Sequence, residues 1–533
     1  MRWAVVVVAL LLTACSATKG GSPGTFALGQ APQLDIGVAA VAEIPFPHPM
    51  NPDSVRSHLD APGQVRQLTP TLLVLDLTDV SDLEVHAIIK AGTQDQAGLI
   101  LASDWVVAIH RRHPGPFELE KVWGGFRLGP FTEVVNVKWV GADRVYGEFR
   151  RQLGATLGIV SLTSGGFDSL ATKPDGVYEA SQPVLGGKAV LFTDGISSLR
   201  LQRPGEKART VAEGLYWQST ADGTRFVSYQ KGGSGYVVDL VTGAGHRLDA
   251  PGFRGSNILD SWSPDGSHYL IQGSRNSEVP GFYIADSQAQ VIKAFTEPGY
   301  FSMWATWSPY SRTVAFLAQP IGSDALPPLT GPLDFSLIAT RLGVLDVASG
   351  KARYFTVDGQ FAGCVPVWSA DGSRLAIWFG RLQNDRGVVA VRGGSLYFVD
   401  LATGSVRPLG EPFASDEVVT PMEWSQDNRK LLVKVSQQTG AYTNYVLLDS
   451  EGRVTKLAGP ATWIDSGHLV VIDRSSSPNV KDALTLVGVE GNRLRTLATG
   501  SNITSVIASL GHGYVSFSSG ESDQVYLTIV RIE

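Results

Sequence analysis

Tryptophan and aspartate recur close together along the chain, as Trp262 and Asp265 do in SWSPDGSHYLI (261–271). A carboxylate beside an aromatic ring could serve catalysis or binding, but Asp-Gly between two strands also supplies the left-handed backbone that a tight turn needs. Related copies lie at 216–229, 306–317, 367–379 and 423–435, and the copy at 306 has Tyr310-Ser311 in place of Asp-Gly. Because one copy lacks the carboxylate, we predict that the aspartate shapes turns and that the tryptophan packs between repeats.

The motif belongs to a longer repeat. Each copy is followed by a short strand that ends in a turn, as in VVDLVTG (237–243) and FVDLATG (398–404). Each repeat therefore has four strands, which is the pattern of a propeller blade. Clear repeats begin near Trp139, Trp217, Trp262, Trp307, Trp368, Trp424 and Trp463, and 187–212 is a degenerate one. We predict a β-propeller over 114–533 with eight blades, or alternatively seven, in which the terminal strands pair with an early strand such as FELEKVW (117–123).

These repeats resemble those of TolB-like and WD-repeat-like propellers, and of the propeller in the prolyl-oligopeptidase and dipeptidyl-peptidase group. The resemblance implies the fold and does not identify an activity. TolB-like proteins carry an α/β domain before the propeller, and the peptidases add an α/β-hydrolase domain with a nucleophile elbow. Neither feature is expected here, so neither activity is carried over.

Blade topology predicts where binding residues lie. The turns within the motif and after the third strand share one face, whereas the longer connections, such as 319–340 and 380–394, share the other. Binding residues favour long loops on a rigid scaffold. On this long-loop face and at the mouth of the central channel, the candidate binding residues are Asp260, Trp304, Asp324, Arg381, Asp385, Arg386 and Glu423. No catalytic residue, metal site or cofactor is predicted.

The N-terminus has the features of an export signal. Arg2 precedes an apolar run from Trp3 to Leu12, which is too short to span a bilayer. Leu12-Thr13-Ala14-Cys15 resembles a bacterial lipobox, which implies cleavage after residue 14 and a lipid on Cys15. We therefore predict a signal peptide at 1–14, a flexible Gly/Ser-rich tether at 15–32 and anchoring to a membrane. Cys364 would then be the only other thiol, so no intramolecular disulfide is expected.

Residues 33–113 predict a small β-sandwich. Alternation at Val85, Ala87 and Ile89 indicates a strand, and Asn51 or Asp53 could cap a helical turn through Val55. The segment resembles a bacterial Ig-like domain of the S-layer type, through the matches Phe46, Pro49, Met50, Asn51, Ser54, Val55, Val85, Ile88, Gly92, Asp95, Gly98 and Leu101. Such domains act as spacers or adhesive modules.

Composition limits the class of protein and its partners. Of the 533 residues, 43% are hydrophobic and 18% charged, and the 59 glycines and 29 prolines favour a turn-rich all-β protein. A net charge of −6 leaves no surplus of basic residues for a nucleic-acid partner.

The leading hypothesis is an extracytoplasmic, lipid-anchored binding or scaffold protein whose propeller binds an envelope protein, peptide or glycan. Two alternatives stay open. One is a polysaccharide hydrolase or lyase that uses acids at the channel mouth, such as Asp260 and Glu423, since paired carboxylates can come from different blades. The other is an accessory subunit of a separate enzyme. A non-enzymatic role is favoured because no catalytic motif is found.

Overall fold

The computed structural model describes residues 24–174, 176–178, 180–193, 198–214, 216–229, 235–248, 261–272, 281–321, 339–385, 388–437, 443–474, 481–509, 512–521 and 524–532. Within these ranges the chain is nearly all β-strand, with a single α-helix, α1 (Pro52–His58), and a 3-10 turn at Leu185–Gly187. This confirms the predicted all-β class. No helix found there has the length and apolar character needed to cross a bilayer.

The chain forms two compact units. The first contains the described residues up to Pro130 together with Tyr526–Arg531, and the second contains Phe131–Val525 with Ile532. The chain's last strand thus belongs to the first unit, which sequence patterns alone did not indicate. The predicted boundary between 113 and 114 stays a prediction.

The first unit is a two-layer sandwich. One sheet has the order β2-β9-β7-β4 and the other the order β3-β6-β5, while β1 pairs with β8 and β11 lies between β10 and β46. The bounds are β1 (Thr25–Phe26), β2 (Gln33–Gly37), β3 (Val41–Pro45), β4 (Leu59–Asp60), β5 (Gln64–Thr69), β6 (Leu72–Asp76), β7 (Glu84–Ile89), β8 (Ile100–Leu101), β9 (Trp105–Arg111), β10 (Glu120–Val122), β11 (Gly125–Phe131) and β46 (Gln524–Arg531). Strand β46 pairs with an early strand, β11, whereas the predicted partner segment 117–123 contains β10, which pairs with β11.

Alternating side chains build the core of this sandwich. In β7, Val85, Ala87 and Ile89 are buried, and they pack against β9 and against residues of the second sheet. Asn51 caps α1 by accepting hydrogen bonds from the backbone N–H groups of Asp53 (3.0 Å) and Ser54 (3.2 Å), so Asn51 rather than Asp53 is the cap. Membership of the Ig-like family stays a prediction.

The second unit is a succession of antiparallel sheets. In the described residues, seven of them are β12-β13-β14-β15, β16-β17-β18-β19, β20-β21-β22-β23, β24-β25-β26-β27, β28-β29-β30-β31, β32/β33-β34-β35-β36 and β37-β38-β39-β40, and β41 to β45 form the eighth. The bounds are β12 (Glu133–Trp139), β13 (Arg144–Arg151), β14 (Gly154–Ser161), β15 (Gly166–Lys173), β16 (Ser181–Val184), β17 (Ala189–Thr193), β18 (Ser198–Gln202), β19 (Arg209–Glu213), β20 (Tyr216–Ser219), β21 (Arg225–Tyr229), β22 (Gly235–Asp239), β23 (Gly245–Leu248), β24 (Ser261–Trp262), β25 (His268–Gln272), β26 (Gly281–Asp286), β27 (Val291–Thr296), β28 (Tyr300–Trp307), β29 (Thr313–Pro320), β30 (Arg341–Asp346), β31 (Ala352–Phe355), β32 (Phe361–Ala362), β33 (Val367–Trp368), β34 (Arg374–Asp385), β35 (Val388–Asp400), β36 (Val406–Phe413), β37 (Glu417–Trp424), β38 (Lys430–Gln437), β39 (Thr443–Asp449), β40 (Val454–Leu457), β41 (Ala461–Trp463), β42 (His468–Asp473), β43 (Asp482–Gly488), β44 (Arg493–Ser509) and β45 (Tyr514–Glu521).

The repeated tryptophans join these sheets. The indole Nε1 of Trp262 donates to the carbonyl of Gln218 in the preceding sheet (3.1 Å), and Trp307, Trp368, Trp424 and Trp463 make the same bond at 3.2, 3.3, 3.2 and 3.2 Å. Trp139 of the first sheet donates to Ile507 of the last at 3.0 Å. Tryptophan bonds thus join the first strands of consecutive sheets from β20 to β41, and shared hydrophobic cores join the sheets β12–β15, β16–β19 and β20–β23. Because Trp139 joins the two ends of the series, the sheets form a closed ring.

This ring is the propeller arrangement predicted from the repeat. Strand β44 pairs with β43 through residues up to Gly500 and with β45 from Ser501 onward, so it takes part in two pairings. The number of blades therefore stays a prediction.

The repeated aspartates shape turns. The Asp265 carboxylate accepts hydrogen bonds from Ser263 Oγ (2.6 Å), Ser267 N (3.0 Å) and Ser267 Oγ (2.7 Å). Asp371 accepts the same set from Ser369 and Ser373. Desolvation acts to raise the pKa of Asp265, but these hydrogen bonds outweigh it and lower the pKa to about 2. The motif is structural.

Two copies of the turn also contact the neighbouring sheet. Ser311 and Asn428 stand where other copies have glycine, with φ of 60° and 59°. Ser311 Oγ accepts from the Asp265 backbone N–H (3.1 Å), and Asn428 Oδ1 accepts from that of Asp371 (3.3 Å). A polar side chain at the left-handed position thus ties one turn to the turn before it.

Replacing Asp265 with asparagine should lower the free energy of unfolding at pH 7 by about 1 kcal/mol, a value reduced from the full shift because the residue is exposed. The pKa of the Asp265 carboxyl group is lower in the folded than in the unfolded protein, so its ionised form stabilises the fold at pH values above the unfolded pKa. This contribution is lost as the pH falls through the folded pKa. Urea unfolding of both proteins should therefore differ at pH 7 and converge between about pH 4 and pH 2. Asp358→Asn, at an exposed loop position, is the control; equal stabilities at pH 7 would show that the carboxylate is dispensable.

Candidate ligand-binding face

The structure describes only part of the predicted site. Asp260, Asp324 and Arg386, like Cys15, lie outside the described residues. The backbone of Asp385 ends β34 and pairs with Val388. Trp304, Arg381 and Glu423 are described with their side chains. They lie in three neighbouring sheets of the second unit, on β28, β34 and β37.

Trp304 has a strained backbone. Its φ is +55°, which is unusual for a bulky residue, and it lies at a β-bulge between Met303 and Thr306. The amide of Gln272, in the preceding sheet, holds the bulge by bonding both the N–H (3.1 Å) and the carbonyl (3.2 Å) of Ala305. Asn136, three residues before Trp139, has the same conformation (φ 54°) at a bulge between Val135 and Lys138, so this geometry recurs in the first strand of another sheet. The role of Trp304 in binding stays a prediction.

Glu423 and Lys138 occupy the same position in different sheets, directly before the packing tryptophan of the first strand. Both are exposed, yet desolvation raises the pKa of Glu423 and lowers that of Lys138. The opposite directions share one cause, because desolvation disfavours the charged form of an acid and of a base alike. Lys138 was missed from the sequence, although its place before Trp139 was a usable signal.

Buried polar atoms without partners occur in both units, and one group of them lies around β28 to β32. Among the described residues, no hydrogen-bond partner is found for Trp304 Nε1, Gln319 Nε2 and Oε1, Thr340 Oγ1 or Gln360 Oε1. Gln319 is 1% exposed. Buried polar groups are normally paired, so each such atom calls for a physical reason. Sequence analysis named the loop 319–340 but did not single out these side chains, because their lack of partners depends on tertiary packing.

Arg381 is exposed on a hairpin that β34 and β35 extend beyond the rest of their sheet. It lies opposite Arg392, while the next pair, Leu382 and Val391, packs on the hydrophobic core. Like charges directly across two strands destabilise a hairpin. The position therefore favours a role for Arg381 in contacting a ligand rather than in stabilising the fold.

Metal-binding side chains and the Cys364 thiol are the remaining groups that could take part in catalysis. The described residues hold no group of three or more His, Cys, Asp or Glu side chains placed to bind a metal. Cys364 is buried and its Sγ accepts the Trp378 N–H at 3.2 Å; desolvation raises the pKa of the thiol to about 12. Such a thiol is not a nucleophile at neutral pH.

No protein-family model matches the chain. No curated protein matches it either. Among solved structures, it is similar to a TolB-like protein described as putative TolB from Agrobacterium tumefaciens, at 16% identity and a TM-score of 0.28 over 47% of this chain and 83% of that one. It is also similar to Porphyromonas gingivalis dipeptidyl peptidase 4 (11% identity, TM-score 0.40, 74% and 58% covered) and to an oligogalacturonate lyase in complex with manganese (14%, 0.37, 66% and 97%). Likenesses at this level assign no family and no activity.

Proposed function

We propose that this chain is a lipid-anchored extracytoplasmic binding protein. Cys15 carries the anchor, the first unit acts as a spacer, and the propeller binds an envelope protein, peptide or glycan on its long-loop face. The main support for this proposal is the set of unpaired buried polar atoms around β28 to β32. An unpaired buried polar atom costs free energy, and a ligand that forms hydrogen bonds with these atoms would remove that cost.

Replacing Arg381 with alanine should weaken binding to envelope material about three- to tenfold without changing the melting temperature, because an exposed arginine contributes contacts rather than stability. The measurement is co-sedimentation of the detergent-solubilised full chain with isolated cell-envelope fragments. Arg429→Ala is the matched control, since Arg429 is an exposed arginine in a motif turn on the other face. Weakening by both variants, or by Arg429→Ala alone, would contradict the proposed face.

A polysaccharide-acting enzyme is the second candidate, because desolvation raises the pKa of Glu423 and a general acid is a carboxyl group whose pKa is raised by its surroundings. It also needs a second carboxylate within about 5 to 10 Å. The same co-sedimentation separates the two functions: an enzyme shortens the bound polysaccharide with time, and a binding protein leaves its length unchanged.

A further inference from the structure

Four of the residues with unpaired atoms face one gap between two neighbouring sheets. Trp304, Gln319 and Thr340 come from the sheet β28 to β31, and Gln360 precedes β32 of the next sheet. We name these four residues the inter-sheet polar cluster. In this cluster the unpaired atoms are an indole N–H, a complete carboxamide, a hydroxyl and an amide carbonyl.

Strand register brings these residues together. Ala318 pairs with Arg341 across β29 and β30, which places Gln319 opposite Thr340. Phe301 of β28 pairs with Gln319, and Trp304 lies three residues further along β28, in the bulge between the pairs Met303–Leu317 and Thr306–Ala315. The bridge between Ala339 and Ala362 brings in the segment that carries Gln360.

The direction of the side chains follows from the core. Leu317 and Leu342 pack in one cluster with Ala362 and Trp378 of the next sheet. Because side chains alternate along a strand, Gln319 points to the same side as Leu317. Trp304 also packs on that core.

The preceding sheet has a paired glutamine on the same face, at the position that aligns with Leu317, two residues before Gln319. Gln272, near the end of β25, faces β28 and uses both amide atoms on the backbone of Ala305. Gln319 occupies the corresponding face of β29, at 1% exposure, and both its amide atoms lack a partner. In the next sheet the first strand is interrupted between β32 and β33, where Pro366 has no N–H to offer.

We propose that the inter-sheet polar cluster is the ligand subsite of the long-loop face, and that it takes an uncharged, hydroxyl-rich glycan. This inference rests on the proposed function and names its ligand. The unpaired atoms are neutral and mix donors with acceptors. A sugar hydroxyl can both donate and accept a hydrogen bond, so it can pair with any of these atoms. In a peptide, an N–H group would have to face each unpaired acceptor and a carbonyl group each unpaired donor.

Because the inter-sheet polar cluster is buried, its side chains must move before a ligand can bind. The unpaired atoms are buried in the unliganded structure. The side chains must therefore turn toward the strand ends, where Ile321 is half exposed, before hydrogen bonds to the ligand form. Such rotamer changes are common at interfaces.

The decisive variant is Gln319→Met, which keeps the volume and removes the carboxamide. The full chain would be applied to an array of neutral hexose oligomers, N-acetylhexosamine oligomers, uronate oligomers and Ala-Gly peptides. We expect the wild type to bind a neutral oligosaccharide and the variant to bind it about ten- to a hundredfold more weakly. Its melting temperature should be unchanged or higher by roughly 1 to 3 °C, because an unpaired buried amide is removed.

Two further variants make the result decisive. Gln272→Met should lower the melting temperature, because Ala305 loses both its bonds. Thr340→Val should weaken glycan binding with little change in stability, and it replaces Gln319→Met if that variant does not fold. A lower melting temperature for Gln319→Met without weaker binding would show that the amide is structural and overturn the proposal. So would binding of peptides or uronates only. Envelope binding that persists in the cluster variants leaves the proposed function standing; absence of any envelope binding by the wild type contradicts both.

Discussion

Replacing Cys15 with alanine is expected to move the protein from the membrane fraction to the soluble extracytoplasmic fraction, with essentially complete loss of membrane association. Under the proposed anchor, two or more acyl chains on Cys15 hold the protein at the membrane, and the variant has no thiol to carry them. The apolar run Trp3 to Leu12 is too short to span a bilayer in their place. The measurement is fractionation of cells that express the full chain, with immunoblotting of both fractions and incorporation of labelled palmitate.

Cys364→Ala is the matched control for this experiment. It removes the other cysteine, which is buried in the second unit, and should leave both the label and the membrane association in place. If the Cys15 variant stayed in the membrane fraction after a high-salt wash, the lipid anchor would be wrong. If it lost the label and still sedimented, the protein would be held through a partner.

Replacing Glu120 with glutamine should destabilise the first unit by about 3 to 5 kcal/mol, because one partner of a buried charge network is removed. The Glu120 side chain is 3% exposed; its Oε1 lies 3.3 Å from Arg111 and its Oε2 lies 2.7 Å from Arg127. Arg111, 8% exposed, also donates to the carbonyls of Leu77 (2.8 Å) and Val80 (2.9 Å). Desolvation lowers the pKa of Arg111, so losing the carboxylate leaves a poorly solvated charge.

The measurement is chemical unfolding followed by a probe on the first unit, such as the hydrogen exchange of the backbone amides of β7 and β9. Glu118→Gln is the matched control, since Glu118 pairs with Arg112 at the surface and should cost less than about 1 kcal/mol. Equal effects of the two substitutions would mean that the buried network contributes no more than an exposed ion pair.

The repeat could be recognised from the sequence because the residues that form each turn lie close together in the chain. A turn between two strands needs Asp and a left-handed residue at fixed positions, and Asp265 with Gly266 meets that need within a few residues. The all-β class followed in the same way. The interpretation of the motif as structural is supported by the bonds of Asp265 to Ser263 and Ser267.

The candidate site could be predicted only in part from the sequence. Trp304, Arg381 and Glu423 were named because topology places them on one face, and the structure adds a strained φ at Trp304 and a raised pKa at Glu423. The unpaired amide of Gln319 was not foreseen, since glutamine near the end of an apolar strand is equally consistent with an exposed residue.

The sequence by itself determined the all-β class, the repeat and the turn chemistry, because each depends on residues close together in the chain. Only the tertiary structure decided that the last strand joins the first unit, that Lys138 and Glu423 are desolvated, and that Gln272 is paired while Gln319 is not. These properties depend on which strands pack against each other, and the packed strands are far apart in the chain. A local sequence pattern therefore does not show whether a buried side chain has a hydrogen-bond partner.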